Sequence, residues 1–361
     1  MSDEAPIPAL SSEPSPRKRL GAVINLRASI GSAPLSNRQR PGVAPDGRSP
    51  AMLIEAVQSL SAAGVTDVRI PFDWARLEPR QATRDRDAEE AYGLLLDACG
   101  SMTVWASMFE GEVPQWFDDM GAFADERAAA RRWPHFVEYV AETFGDRIGG
   151  WVLLDRPVQF ARAAYLDGSW PPGRRDGETH ANVMINLIAA HRDGARIVSG
   201  NGPVVVALDL ERIVVPRDDV PAAQRARARD TLAWRVWELA LRDGTVSVPG
   251  LADRQLDDLA GSADIVCGWL PAPGPDAEWS GELLRRMAEV MPTQVEPIVR
   301  LGGDDPIGHL EHQWSILDDA TRDGIAMTVR WLSPAIGGHG ALVDEGGAAS
   351  AVLDRAVLAN L

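Results

Sequence analysis

Eight short runs of β-branched and apolar residues, separated by longer amphipathic stretches, constrain the fold of this chain more than any other feature. The runs cover residues 21–27, 66–72, 102–108, 150–155, 203–210, 263–270, 296–301 and 324–332. A strand covered on both faces reads as such a run, and apolar residues recurring at every third or fourth position mark the helix that covers it. Residues 52–64 have the helical spacing and end on Gly64, which suits a left-handed cap, and residues 133–145 also close on a glycine. Strand followed by helix, repeated, is the pattern of a parallel sheet. Eight such units predict an α/β fold, a single (β/α)8 TIM barrel over residues 20–361. An open doubly wound sheet would more often bring a Gly-x-Gly-x-x-Gly turn after its first strand, and none follows residue 27.

Composition narrows the function. With 52 acidic against 36 basic residues the formal charge is −16, which repels a phosphate backbone or an anionic membrane, so neither nucleic acid nor membrane is expected as a partner. Residues 1–19 are rich in Pro, Ser and charge and lack the apolar core of a secretory signal; they read as a disordered tail whose P-R-K-R end serves solubility. No run of about 18 apolar residues occurs, so the expectation is a soluble, cytoplasmic protein. Cys99 and Cys267 stand far apart in apolar settings and read as small buried hydrophobes. The six histidines lack metal-ligand spacing; His309 and His312 flank Glu311 on a helical pattern and read as surface residues. Neither a metal nor a cofactor is expected.

In a barrel of this kind the working side chains stand at the C-terminal ends of the strands, because the following loops gather on one face. The rule selects Arg27, Asp73, Trp74, Glu110, Glu112, Asp155, Arg156, Asp209, Trp269, Arg300, Leu301 and residues 330–333.

Three segments carry more specific information. Residues 64–79 read G-V-T-D-V-R-I-P-F-D-W-A-R-L-E-P, with Arg69, Trp74, Arg76 and Pro79. Residues 113–117 read V-P-Q-W-F and lead into F-V-E-Y-V-A-E-T-F-G-D-R-I-G-G-W-V at 136–152. Residues 165–173 read Y-L-D-G-S-W-P-P-G, followed by a helical stretch at 180–195. In this order and spacing they resemble glycoside hydrolase family 1, the β-glucosidase-type retaining glycosidases. The resemblance extends from residue 20 to about 335, is strongest over 64–195 and is weak after 296.

That chemistry needs two carboxyl groups about 5 to 5.5 Å apart, one as nucleophile and one as acid/base. The resemblance places the acid/base glutamate in an Asn-Glu-Pro triplet that here reads Asp155-Arg156-Pro157, and the nucleophile in a Thr-Glu-Asn-Gly run that puts Leu301 at the glutamate. It also implies a Gln at Ala28, a His at Glu110 and an Asn-Tyr pair at Trp269-Leu270, while the last tryptophan motif survives at most as Trp331. Arginine, with a pKa above about 12, is no acid at neutral pH, and leucine is no nucleophile.

Arg69, which the resemblance pairs with the nucleophile, would be left a buried cation and needs a new anion. Glu110 and Asp155 can supply it, which gives a rewired ion-pair network; alternatively Arg69, Arg156, Arg27 and Arg300 form a cationic floor for an anionic ligand, or Arg156 faces solvent. Trp269 and Trp331 are candidates for a stacking wall, and Asp209 for a further polar contact. The expected function is thus a divergent barrel, inactive as a retaining β-glycosidase. Such a pseudoenzyme or repurposed protein would bind a sugar-like or anionic small molecule or a protein partner. The alternative is an active enzyme: a glycoside hydrolase with relocated carboxylates, or an isomerase, cyclase or lyase using Asp155 or Glu110 beside Arg69 and Arg156.

Overall fold

The computed structural model describes residues 19–24, 53–337, 340–344 and 346–360. Eight parallel strands close into a barrel: β1 (Arg19–Val23), β2 (Asp67–Pro71), β3 (Thr103–Ser107), β4 (Gly150–Asp155), β5 (Val204–Asp209), β6 (Ile265–Trp269), β7 (Gln294–Arg300) and β8 (Val329–Ser333). Each of the eight sequence runs contains or overlaps one of them. The strands follow one another around the barrel in chain order, and β8 pairs with β1 to complete it. The first strand starts at Arg19, inside the stretch expected to be tail, because Arg19 Nε bonds Asp67 Oδ2 at 2.8 Å on the neighbouring strand.

Helices cover the barrel: α1 (Ile54–Ala63), α2 (Arg86–Ala98), α3 (Glu126–Phe144), α4 (Gly177–Val198), α5 (Val220–Asp230), α6 (Val236–Asp243), α7 (Ser280–Val290), α8 (Pro306–Arg322) and α9 (Ala351–Asn360). Helix α1 ends as its sequence implies, on Gly64 with φ 98°. Helix α3 does not, since Gly145 has φ −58° and the chain runs on through a tight turn to Arg147. Its start lies seven residues before the expected one, set by the Asp125 side chain accepting the Ala128 N–H. The excursion after β5, with α5, α6 and a two-stranded hairpin (Thr245–Val246 with Arg254–Gln255), has no counterpart in the sequence reading. Among the described residues no helix is long and apolar enough to cross a membrane.

Because strand side chains alternate, one set fills the barrel and the other packs on the helices. Val23, Trp105, Val205, Cys267, Ile298 and Trp331 belong to the inner set. Two indoles fill the middle of the barrel, edge to face with centroids 5.6 Å apart. Each lies across a glycine on the adjoining strand, Trp331 opposite Gly21 and Trp105 opposite Gly150. A Cβ at Gly150 would stand 2.2 Å from the Trp105 ring. Gly150→Ala is therefore expected to cost about 1–3 kcal/mol, as overpacked cores do. Urea unfolding of the variant checks it, and an unchanged midpoint would refute the packing argument. The indole N–H groups are satisfied by buried acids, Trp105 by Asp67 Oδ1 at 2.8 Å and Trp331 by Glu296 Oε2 at 2.8 Å.

Candidate functional site

The C-terminal ends of the strands surround a cavity of about 550 Å³ lined by Glu110, Glu112, Asp155, Arg156, Trp269, Arg300, Leu301 and Ser333, with Gln159, Phe160 and Trp170 from the loop after β4. The backbone of β4 decides which of its side chains reach this mouth. Pairing with β5 slips between Val152 and Leu154, so Val152 points into the barrel, Leu153 and Leu154 pack outward, and Asp155 turns inward again. Arg156 follows in the left-handed region with φ 54° and ψ 45°. A non-glycine residue adopts that conformation at a cost of about 1 kcal/mol, and here it starts the short helix Pro157–Ala161.

Two ion clusters form the floor. In the first, the buried Arg69 reaches up from β2, and its Nη2 meets Asp155 Oδ1 at 3.1 Å, Ser107 Oγ at 3.0 Å and Glu110 Oε1 at 3.9 Å. Its Nε and Nη1 are buried without a hydrogen-bond partner among the described residues. Asp155 also accepts the Trp269 indole N–H at 2.6 Å. In the second cluster Arg156 and Arg300 share one carboxylate: Arg156 Nε bonds both Asp209 oxygens at 2.9 and 3.0 Å, and Arg300 Nη2 bonds Asp209 Oδ1. Both guanidinium groups lie against Trp269, with their carbons 5.5 and 5.1 Å from its ring centroid.

Sharing a carboxylate affects the two arginines differently. Burial works against the charge of Arg156, but Asp209 outweighs it and holds the group above its ordinary range. Burial, reinforced by the charge of Arg156, pulls Arg300 below its ordinary range although Asp209 opposes the shift. His309, expected on the surface, is half-buried and its Nε2 bonds the Arg300 carbonyl at 3.0 Å, which fixes the end of β7.

The structure thus brings together Arg69, Glu110, Asp155, Arg156, Asp209, Trp269 and Arg300. Arg69 does not line the cavity; it lies beneath it, neutralised by Asp155, so a cationic floor that includes Arg69 is not formed. Trp331 does not form the stacking wall expected of it: it sits mid-barrel, 2% exposed, and meets Trp105 edge to face instead of facing a ligand. Asp73 is the N-cap of the helix Trp74–Leu77, accepting the Arg76 N–H, and is no free acid. Arg27 and Ala28 lie outside the described residues. At the end of β7 the inward side chain is Arg300, and Leu301 follows it at the cavity wall. Neither is a carboxylate. Gln159, Phe160 and Trp170 escaped the strand-end rule because they belong to the helix and loop after β4, although Trp170 falls within a segment that carried the family resemblance.

A family model, Glycosyl hydrolase family 1, matches residues 48–237, more than half of the chain. The chain belongs to glycosyl hydrolase family 1. Among its relatives, Probable inactive beta-glucosidase 25 of Arabidopsis thaliana is 24% identical over 253 residues, covering 59% of this chain and 46% of the relative. Beta-glucosidase 38 of Oryza sativa subsp. japonica is 23% identical over 222 residues, covering 54% and 45%. The chain therefore spans less than half the length of these relatives. The beta-glycosidase from Pyrococcus horikoshii shares the fold with a TM-score of 0.76 at 16% identity, over 96% of this chain and 94% of that one. So does the beta-glucosidase from Thermotoga maritima in complex with deoxynojirimycin, with a TM-score of 0.72 at 15% identity over 89% of each chain. In this family 1 barrel, Arg156 and Arg300 stand at the ends of β4 and β7, the two strands where the sequence resemblance leads one to expect the glutamates.

Proposed function

We propose that this family 1 barrel binds a sugar-like small molecule in its mouth and does not hydrolyse it by the two-glutamate route. One observation carries the reading: the positions that the resemblance gives to the acid/base and the nucleophile hold Arg156 and Leu301, and Arg156 and the neighbouring Arg300 are tied to a single Asp209 beside an open cavity. A guanidinium can neither donate a proton to a leaving oxygen at neutral pH nor attack an anomeric carbon. The cavity keeps the elements of a sugar site, a half-buried indole at Trp170 and several polar groups around it. The relative of known structure that carries deoxynojirimycin supports a sugar-like occupant. Incubated with p-nitrophenyl β-D-glucoside, the protein is expected to release no nitrophenol above the buffer rate, while deoxynojirimycin titrated into it gives a saturable heat signal. Turnover that survives purification, or a flat titration, would each defeat the reading.

A second reading is favoured by a separate observation. Glu110 and Asp155 both line the cavity and both reach Arg69 Nη2, at 3.9 and 3.1 Å. Because both oxygens contact one nitrogen, they lie no more than about 7 Å apart, a span that an acid and a base acting on one bond can bridge. Asp155 accepts the Trp269 indole N–H and faces Arg69, which leaves Glu110 as the carboxyl group of the pair with more freedom to reach a substrate. Any turnover through this pair would vanish in Glu110→Gln; retention of turnover there would eliminate it.

A further inference from the structure

Beside the mouth lies a cleft of about 360 Å³, bounded by the ends of β5, β6 and β7, and Arg156, Gln159 and Arg300 line both spaces. Glu110, Glu112 and Asp155 line the mouth but not this cleft. The walls of the cleft carry four arginines, Arg156, Arg212, Arg229 and Arg300, against three acids, Asp209, Glu211 and Asp276. Two of those acids are shared. Arg156 and Arg300 both take Asp209, while Arg229 and Arg162, which follows the short helix after β4, both take Glu211. Arg212 lies over the Trp279 ring at 3.6 Å and forms no ion pair with the described residues. In a chain with a formal charge of −16, cations are locally in excess here.

The Arg156–Arg300 pair is where this excess can meet a ligand. Two guanidinium groups around one carboxylate leave one positive charge uncompensated; burial, together with the charge of Arg156, pulls Arg300 below its ordinary range. Hydrogen-bond donors are left over as well. Arg156 spends only Nε on Asp209 and Arg300 only Nη2, so the two Nη groups of Arg156, and Nε and Nη1 of Arg300, make no hydrogen bond to the described residues. Both side chains are held against Trp269 and remain 28% and 25% exposed, which fixes the pair in place before anything binds yet leaves it within reach.

We propose that the occupant of the mouth is an acidic sugar, and that its carboxylate docks on Arg156 and Arg300. The proposal rests on the mouth being a sugar site and adds the charge of the occupant. A carboxylate brings one negative charge, which with Asp209 makes two anions for two cations, and its shape matches the planar fork of a guanidinium. A phosphate, with a charge of about −1.5 to −2 at neutral pH, would exceed the single surplus charge in a mouth that also holds Glu110, Glu112 and Asp155.

The test is calorimetric titration of the full chain with methyl β-D-glucuronide and with its neutral parent, methyl β-D-glucoside. The glucuronide is expected to bind about tenfold more tightly or better, the weight of one charge-assisted contact, and the preference should shrink as salt is raised. It should be lost in Arg156→Gln and in Arg300→Gln and kept in Arg131→Gln, which removes the same charge from an exposed position on α3. Asp209→Asn takes away the anion the two arginines share, so it should raise the affinity for the glucuronide, a gain that a merely structural cluster would not give. Melting temperatures identify any variant that fails to fold. Equal affinity for the two glycosides, a preference that survives both arginine variants, or no gain in folded Asp209→Asn overturns the proposal and leaves the mouth reading standing. Tighter binding of methyl β-D-glucoside 6-phosphate than of the glucuronide overturns the carboxylate. If neither methyl glycoside binds, the proposal falls, and the deoxynojirimycin titration decides separately whether the mouth reading falls with it.

Discussion

Asp155→Ala is expected to lower the stability of the fold by about 3–5 kcal/mol, because it leaves the buried Arg69 cation only the more distant Glu110 carboxylate. Arg69 is 1% exposed, its Nε and Nη1 already lack partners among the described residues, and Asp155 at 3.1 Å is the nearest anion to its remaining nitrogen. Glu110, at 3.9 Å, is too distant to replace it without movement. Asp155→Asn keeps the shape and the acceptor for the Trp269 indole but removes the charge, so it should recover only part of the loss. The double replacement Arg69→Met with Asp155→Leu removes both charges and should be more stable than Asp155→Ala alone, since it is the unpaired ion that costs most. Urea unfolding midpoints give all three values. A single Asp155→Ala that loses under about 1 kcal/mol would mean that the charge finds water, and the floor would not be the dry network described here.

The second large effect is a pair of opposing pH dependences. His191, fully buried in α4 against Trp237, is pulled by burial from its ordinary value down to about 4. As pH falls from about 6.5 towards 4 the unfolded chain takes up a proton that the native site refuses, so this residue removes about 3 kcal/mol of stability across that window. Glu296, inside β7, is pushed by burial up to about 7, although hydrogen bonds from Trp331 and the Val329 backbone oppose the shift. Between about 4.5 and 7 the native state holds a proton that the unfolded chain has released; its contribution is present in acid and is lost, again by about 3 kcal/mol, as pH rises through 7. The two slopes nearly cancel where they overlap, and the parent protein should show a flat stability profile from pH 5 to 6.5. Glu296→Gln removes one of them. Relative to the parent, the variant should gain about 3 kcal/mol on going from pH 5 to pH 8, and its own stability should fall visibly below pH 6. Denaturant titrations at stepped pH give both curves, and parallel profiles for parent and variant would show that Glu296 titrates normally.

The barrel was legible because its strands are covered on both faces, which forces continuous β-branched runs, and because parallel strands need a helix between each pair. Helix ends were less legible: α3 starts on the cap formed by Asp125, which precedes the apolar pattern, and Gly145 closes it without leaving right-handed space. At the site, the missing carboxylates could be read directly from Asp155-Arg156-Pro157, since the residue type alone excludes the chemistry. The partners were legible only as alternatives. The sequence offered Arg69 either Glu110 and Asp155 or an anionic ligand, and the structure pairs it with Asp155 of β4, while Trp331 looked like a stacking wall until its register against Gly21 put it mid-barrel.

The sequence by itself therefore determined two things about this protein: the eightfold alternation that makes a parallel barrel, and the side-chain chemistry that the strand ends do and do not possess. Both are properties of residue type and local period, and neither depends on what a residue meets. The tertiary structure alone decided which charge answers which. The slip of β4 between Val152 and Leu154 turns Asp155 inward to Arg69. Barrel closure brings Arg300 from β7 to the Asp209 that Arg156 already holds. Those contacts join residues distant in the chain, and a one-residue change of register would have pointed the same side chains out of the barrel.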